Sequence, residues 1–528
     1  MSARTVPFLM PRVEEVVPDF AMLKDRLTGS SVVEERYTAT QVPSSGDNYT
    51  VGGSGTRLMI IRVANQNDYI DTSTMVLNFK CQSQVGAALP GATATNLALD
   101  DHIFSLVDTI NVKVGGQTVE VLNNVGHLVN TLVQGSMPYN YYKQNGGFEG
   151  LYIYDKWADG PGNRVVVNDP IADANNAKVQ GAQTIQSRWS IGNSWFDNGR
   201  YYSVPLTLLG LCRIPTLFAA RNFQDVTLEI LFRSQLAGAA WVKDPSVAVT
   251  TVPANAFAFI NDVTLTYDCC RMSADYYALM DNELKMPNGS GVAYAIDTYQ
   301  VQPASIAQPA LSAGATAGSN GALTRIVVAK GTRFLKGVYG VSKVTSAETD
   351  YKWRNNSSAG NFCFNSYQVI INSKRYPQLQ IQSSAQQFQE LQKAYNQLGS
   401  VAGGAVISWM NYIGQPVARI QYTGNTQRQD ARADGTKDGT LLGACPSDEA
   451  MFQNGVNLEQ FLTNQPDAGG INTSTSGYQI AVEIQNSGQV GANGDAVTAF
   501  AATPLTHYVI LHFTRVLTLK AGAVEVLD

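Results

Sequence analysis

Residues 108–122, DTINVKVGGQTVEVL, alternate apolar Ile110, Val112 and Val114 with polar Asn111 and Lys113. A period of two turns one face of a strand inward. Gly115 and Gly116 interrupt the run and suit the two positive-φ positions of a type I′ turn. Alternation then resumes through Thr118, Val119, Glu120 and Val121, so the stretch predicts a β-hairpin. Residues 367–377, YQVIINSKRYP, predict a second one, with Tyr367, Val369 and Ile371 on the strand and Asn372-Ser373 in the turn.

Similar patterns predict strands over 57–64, 74–81, 200–211, 225–233 and 261–269, and again over 291–302, 323–331, 333–343, 415–422, 477–485 and 507–519. Each hairpin is followed by a helical pattern, NVGHLVNTLV (124–133) and SSAQQFQELQKAYNQLG (383–399). In the second, Ser384 and Gln387 have capping-box spacing, Phe388, Leu391, Tyr395 and Leu398 recur at helical intervals, and Gly399 stands where the helix should end. An offset of 257 residues places Ile110 on Tyr367, and one of 246 places Val263 and Leu265 on Val509 and Leu511. Loops of different length change the offset without changing the order, so the chain reads as two copies of one β-domain. About eight strands per copy, one short helix and long excursions point to a jelly roll rather than an immunoglobulin-type sandwich. The excursions at 85–101, 302–322, 423–444 and 486–504 are too long for plain connectors and read as packed surface loops, with floppy linkers as the alternative. The expected organisation is an arm over 1–30 with a short helix capped by Asp19, a first roll over 31–272, a linker helix over 273–290 and a second roll over 291–528.

Composition supports this layout. A chain of 528 residues suggests two domains of about 250 residues each. Charged residues make up 15%, against about 25% in typical globular proteins, and uncharged turn formers fill the difference. A net charge of −5 argues against nucleic-acid binding as the main role, and no basic run exceeds Lys374-Arg375. Cys81, Cys212, Cys269, Cys270, Cys363 and Cys445 lack CxxC spacing and read as small buried hydrophobes. Prolines and acids break the first twenty residues before any signal-peptide core, and no run of eighteen apolar residues predicts a membrane span.

Candidate chemistry is sparse. Phosphate-loop, nucleophile-elbow and zinc-protease motifs are missing, so no catalytic residue, metal ligand or cofactor is assigned. His507 and His512 lie five apart on a predicted strand and therefore face opposite sides. His102 and His127 have no partner at ligand spacing and read as structural. Asp155 and Asp159 beside Tyr152, Tyr154 and Trp157 are the one grouping that suits a sugar cleft, which keeps a carbohydrate-binding or carbohydrate-cleaving sandwich as the alternative.

Three segments resemble the double jelly-roll major capsid proteins of eukaryotic double-stranded DNA viruses, a group spanning large algal viruses, virophages and polinton-like viruses. They are SLVDTINVKVGGQTVEVLNNVGHLVNTL (105–132), RYYSVPLTLLGLCRIPTLFAARNFQDVTLEILFRS (200–234) and NDVTLTYDCCRMSADYYALMDNELKM (261–286). In the last, Tyr276, Leu279, Asp281 and Glu283 approximate the family's helix motif, with the acid two residues after Asp281 as a departure. The resemblance implies a non-enzymatic virion protein that forms homotrimers. Six similar sectors would give a pseudo-hexagonal capsomer tiling an icosahedral shell. Implied partners are neighbouring capsomers and minor capsid and penton proteins, or an internal membrane where the virus has one, with no sequence-specific nucleic acid. It also implies that the 1–30 arm lies at the inner face of the shell.

Overall fold

In the computed structural model the alternating residues of the first hairpin become inward positions of a sheet, with Ile110, Val112 and Val114 at most 1% exposed. The structure describes residues 33–63, 67–86, 97–99, 102–136, 199–223, 225–242, 255–285, 292–306, 320–349, 364–381, 383–395, 452–459, 470–474, 478–487, 505–520 and 523–527, with single residues 351, 407 and 412.

The first half runs through β1 (Val33–Gln41), β2 (Tyr49–Val51), β3 (Leu58–Val63), β4 (Tyr69–Val85), β5 (Leu97–Leu99), β6 (Val107–Val114) and β7 (Gln117–Asn123). Helix α1 (Val125–Ser136) follows, then β8 (Arg200–Pro205), the one-turn α2 (Ala220–Phe223), β9 (Val226–Phe232), β10 (Ala240–Val242) and β11 (Ala256–Met272). Helix α3 (Ala274–Lys285) leads into β12 (Val292–Ile306), β13 (Asn320–Val328), β14 (Leu335–Val344), β15 (Phe364–Ile371) and β16 (Lys374–Ile381). The chain finishes with α4 (Ser384–Ala394), β17 (Asn454–Asn457), β18 (Ile480–Ser487), β19 (Leu505–Lys520) and β20 (Ala523–Leu527).

Strand order carries the repeat. The first half forms sheets β1-β11-β4-β8 and β3-β9-β6-β7; the second forms β12-β19-β14-β17 and β13-β18-β15-β16. The two orders coincide position by position, and every pairing is antiparallel. Each half is therefore an eight-stranded jelly roll, four strands per sheet, joined by β2 on β11 in one and β20 on β19 in the other. Within each roll, alternate side chains of facing sheets fill the space between, as in β9, whose Val226, Leu228, Ile230 and Phe232 are buried. Each such side chain contributes roughly 1.5–3 kcal/mol on burial. Apolar residues of both rolls form one continuous cluster.

Several boundaries differ from the sequence reading. The strand expected over 200–211 ends at Pro205, and Gly210–Arg213 form a 3-10 turn. Helix α4 is capped by Ser383, whose extended backbone lets its Oγ accept from the Gln386 N–H at 3.2 Å. Ser384 is already helical and Gln387 is 1% exposed on the inner face, so the expected Ser384–Gln387 box does not form. Strand β1 went unread because VEERYTATQ places few apolar residues on an edge. The excursion at 85–101 contributes β5, which pairs with β10 as a small ribbon. The 1–30 arm, the strand over 415–422 and Gly399 lie outside the described residues.

Candidate functional site

The described residues hold no group of three His, Cys, Asp or Glu side chains fit for a metal ion. Of the histidines, His102 accepts from the Phe104 N–H through Nδ1 and caps a 3-10 turn. His507 contacts Ser342 Oγ at 2.8 Å inside the second roll, while His512 stacks on Tyr299 with ring centroids 4.7 Å apart. They face opposite sides, as strand geometry requires. Burial lowers both, to about 3 and about 4, so both rings are neutral near pH 7. Cys81, Cys212, Cys269 and Cys270 are buried and form no disulfide. Cys363, Cys445, Asp155, Asp159, Tyr152, Tyr154 and Trp157 lie outside the described residues.

What the structure does gather is a polar seam between the two rolls. Glu120 of β7 stands at a position that alternation assigns to solvent, yet it is fully buried. A register shift at Val112/Lys113 and the second roll lying over β7 account for the difference. Its carboxylate accepts from the Gly210 N–H at 3.0 and 3.1 Å and from Thr298 Oγ1 of β12 at 2.7 Å. Burial raises its pKa against the lowering effect of Thr298, Gly210, Arg213 and Arg515. Three residues on, the Asn123 amide pairs with both backbone groups of Val301, donating to its carbonyl at 2.8 Å and accepting from its N–H at 3.1 Å. The side chain thus acts as a short surrogate strand on the edge of β12. Arg515 Nη1 donates to the Val119 carbonyl at 2.7 Å.

Beside these lies Asp297, held by Lys336 Nζ at 2.9 Å and Thr514 Oγ1 at 2.6 Å, with Arg213 donating to its backbone carbonyl. Burial alone would raise its carboxyl, but His512, Lys336, Thr514 and Arg213 outweigh burial and hold it below the usual range.

A second polar cluster joins the rolls where Glu348 meets His127 Nε2 at 2.6 Å, Arg233 Nη1 at 2.8 Å and Tyr508 OH at 2.9 Å. It borders a cavity of about 150 Å³ lined by Asp108, Asn124, Arg233, Ser234, Gln235 and Glu348. Burial lowers His127 to about 4, so a neutral ring protonated at Nε2 donates to Glu348. The acid is 221 residues away in sequence, which is why spacing alone assigned His127 no partner. On α3, Tyr276 is buried against Tyr69, and Asp281 accepts from Arg221 at 3.3 Å. These contacts give α3 a docking role; the side chains of Leu279 and Glu283 lie outside the described residues.

Buried polar groups that are mostly satisfied and distributed along an interface orient the two bodies they join. The chain matches no family model and no curated protein sequence. Solved structures do match. A crystal structure of VP54 from the virus PBCV-1, fitted into a reconstruction of the virophage Sputnik, covers 94% of this chain and 98% of its own at 12% identity and a TM-score of 0.51. A quasi-atomic model of the PBCV-1 capsid covers the same shares at 12% identity and a TM-score of 0.50. At that identity the likeness carries the fold, the double jelly roll, over nearly the full length of both chains.

Proposed function

We propose that this chain is the structural major capsid protein of an icosahedral virus, acting without catalysis as a homotrimeric, pseudo-hexagonal capsomer. The observation that carries the reading is the duplicated strand order within one chain, shared over nearly its whole length with a fold that also occurs in the PBCV-1 capsid. Two similar sectors per chain become six in a trimer, and six similar sectors tile a surface as a hexagon does. The seam serves this role by fixing the angle between sectors through hydrogen bonds that tolerate little displacement.

On this reading the working parts are a first roll over 31–272, a helical linker over 273–290 and a second roll over 291–528. Residues 1–30 are an arm toward the inside of the shell. Neighbouring capsomers, minor capsid and penton proteins, and an internal membrane where the virus has one, are the partners. Native mass by light scattering, with negative-stain images of the same fraction, tests the proposal. The expected mass is about 171 kDa, three times the 57.0 kDa chain, with six-sided particles. A monomer at every concentration overturns it.

A further inference from the structure

The repeat makes readable a surface that lacks cover among the described residues. In the first roll, β7 is covered by the second roll: Asn123 caps Val301 of β12, and a Cβ on Gly115 would lie 3.0 Å from Val524 of β20. The counterpart of β7 in the second roll is β16, and the counterpart of β12 in the first roll is β1. Neither has the corresponding cover among the described residues. Leu379 of β16 is 84% exposed and Val42, just after β1, is 66% exposed, the two highest values among the large exposed hydrophobics.

Register shows that these two residues occupy related places. Gln300 of β12 pairs with Leu511, and Gln41 of β1 pairs with Leu265. Leu265 and Leu511 correspond by the 246-residue offset, so Val42 stands where Val301 stands. Val301 is 2% exposed because the first hairpin lies on it. On β16, the register with β15 shifts between Val369↔Tyr376 and Tyr367↔Ile381, and the extra residues carry Leu379 outward.

Charge agrees with the same alignment. The first turn approaches Val524, which pairs with Leu519, which in turn pairs with Val292 at the start of β12. The second turn, similarly placed, would approach the start of β1. Lys374 and Arg375 directly follow that turn, both exposed, with no ion pair among the described residues. The start of β1 carries Glu34 and Glu35, beside Asp68, Asp71 and Asp268, with Arg36 and Arg271 as the cations of the group.

Resting on the capsomer reading, we infer that the β16 hairpin of one chain docks on the β1 edge of a second copy, repeating between chains the seam that joins the rolls within one. Leu379 seats by Val42, and Lys374 and Arg375 face Glu34 and Glu35. The contact is heterologous, so it closes into a ring when successive copies turn by one third of a revolution. An exposed apolar residue on a strand edge is a hazard in a monomer and an asset when a partner covers it.

Light scattering on full-length protein tests this. Leu379→Glu and Val42→Glu should each shift the mass from about 171 kDa to 57.0 kDa while far-UV circular dichroism stays unchanged. Lys374→Glu with Arg375→Glu should raise the trimer's apparent dissociation constant roughly tenfold, and adding Glu34→Lys with Glu35→Lys should restore it. Should either Glu variant fail to fold, Val42→Cys with Leu379→Cys gives a separate readout, a covalent trimer on a non-reducing gel after air oxidation, lacking in the single variants. Folded variants that remain trimers, or a double-cysteine trimer with no cross-link, overturn this surface and leave the capsomer reading standing. In that event the arm or another partner covers the patch. A wild-type monomer instead overturns the capsomer reading itself.

Discussion

The two hairpins reach one backbone solution with different residues. Gly115 and Gly116 take φ values of +56° and +79°, Asn372 and Ser373 take +47° and +67°, and both turns are therefore type I′. Their surroundings diverge. Strand β7 buries Val119, Glu120 and Leu122, whereas β16 leaves Lys374, Arg375, Gln378 and Leu379 exposed. A turn type is a local matter of twist, but the sequence that follows it answers to whatever lies on top. Glu120 is acceptable inside because Gly210 and Thr298 meet it; the second hairpin has no such cover among the described residues.

The largest effect is expected at Gly210, where the first hairpin's seam is tightest. An added Cβ would lie 2.2 Å from the Asp297 carbonyl oxygen and 2.6 Å from Ile296 Cγ2. Gly210→Val should cost about 3 kcal/mol in urea unfolding and split one transition into two as the rolls uncouple. A single unshifted transition would show that the seam does not couple them.

Within the first turn, Gly115→Val should cost about 2–3 kcal/mol and Gly116→Val about 1–2 kcal/mol, because both have positive φ but only Gly115 has neighbours in reach. Equal losses would remove the packing contribution from the account. Acid should act next, and unevenly. His127, His507 and His512 bind protons less readily folded than unfolded, with values lowered to about 4, about 3 and about 4. Their contribution is therefore complete above the ordinary histidine value of about 6.5 and is lost as pH falls toward 4. Glu120 works the other way, since its raised pKa costs stability once it ionises, a cost relieved on acidification. Hydrogen exchange at pH 7.5 and pH 5 should show greater loss of protection in β19, which carries two of the histidines, than in its counterpart β11. Equal loss in both would refute the assignment. The smallest change is a gain: Ser373→Gly should stabilise the second roll by ~1 kcal/mol in urea, since serine holds a left-handed conformation that glycine adopts freely. A loss would mean that the Ser373 side chain stabilises the turn.

Much of the fold was legible. Alternation located both hairpins, and the order of elements disclosed the repeat, because a half-buried strand cannot avoid a period of two. The missed elements have physical causes. Strand β1 is an edge with little to bury on one side, and β20 is a five-residue addition to β19. The seam was much less legible. Glu120 sat in a polar slot, and His127 had no partner until the fold carried Glu348 to it.

The sequence by itself determined the jelly-roll repeat, the two tight turns and the helix after each, because periodicity and turn chemistry act between residues a few positions apart. Only the tertiary structure decided which polar residues lie inside, with Glu120, Asn123 and Asp297 facing partners 39 to 217 residues away. Whether a polar side chain is buried depends on the desolvation it suffers and the hydrogen bonds it recovers, and both come from segments that meet only after the chain has folded.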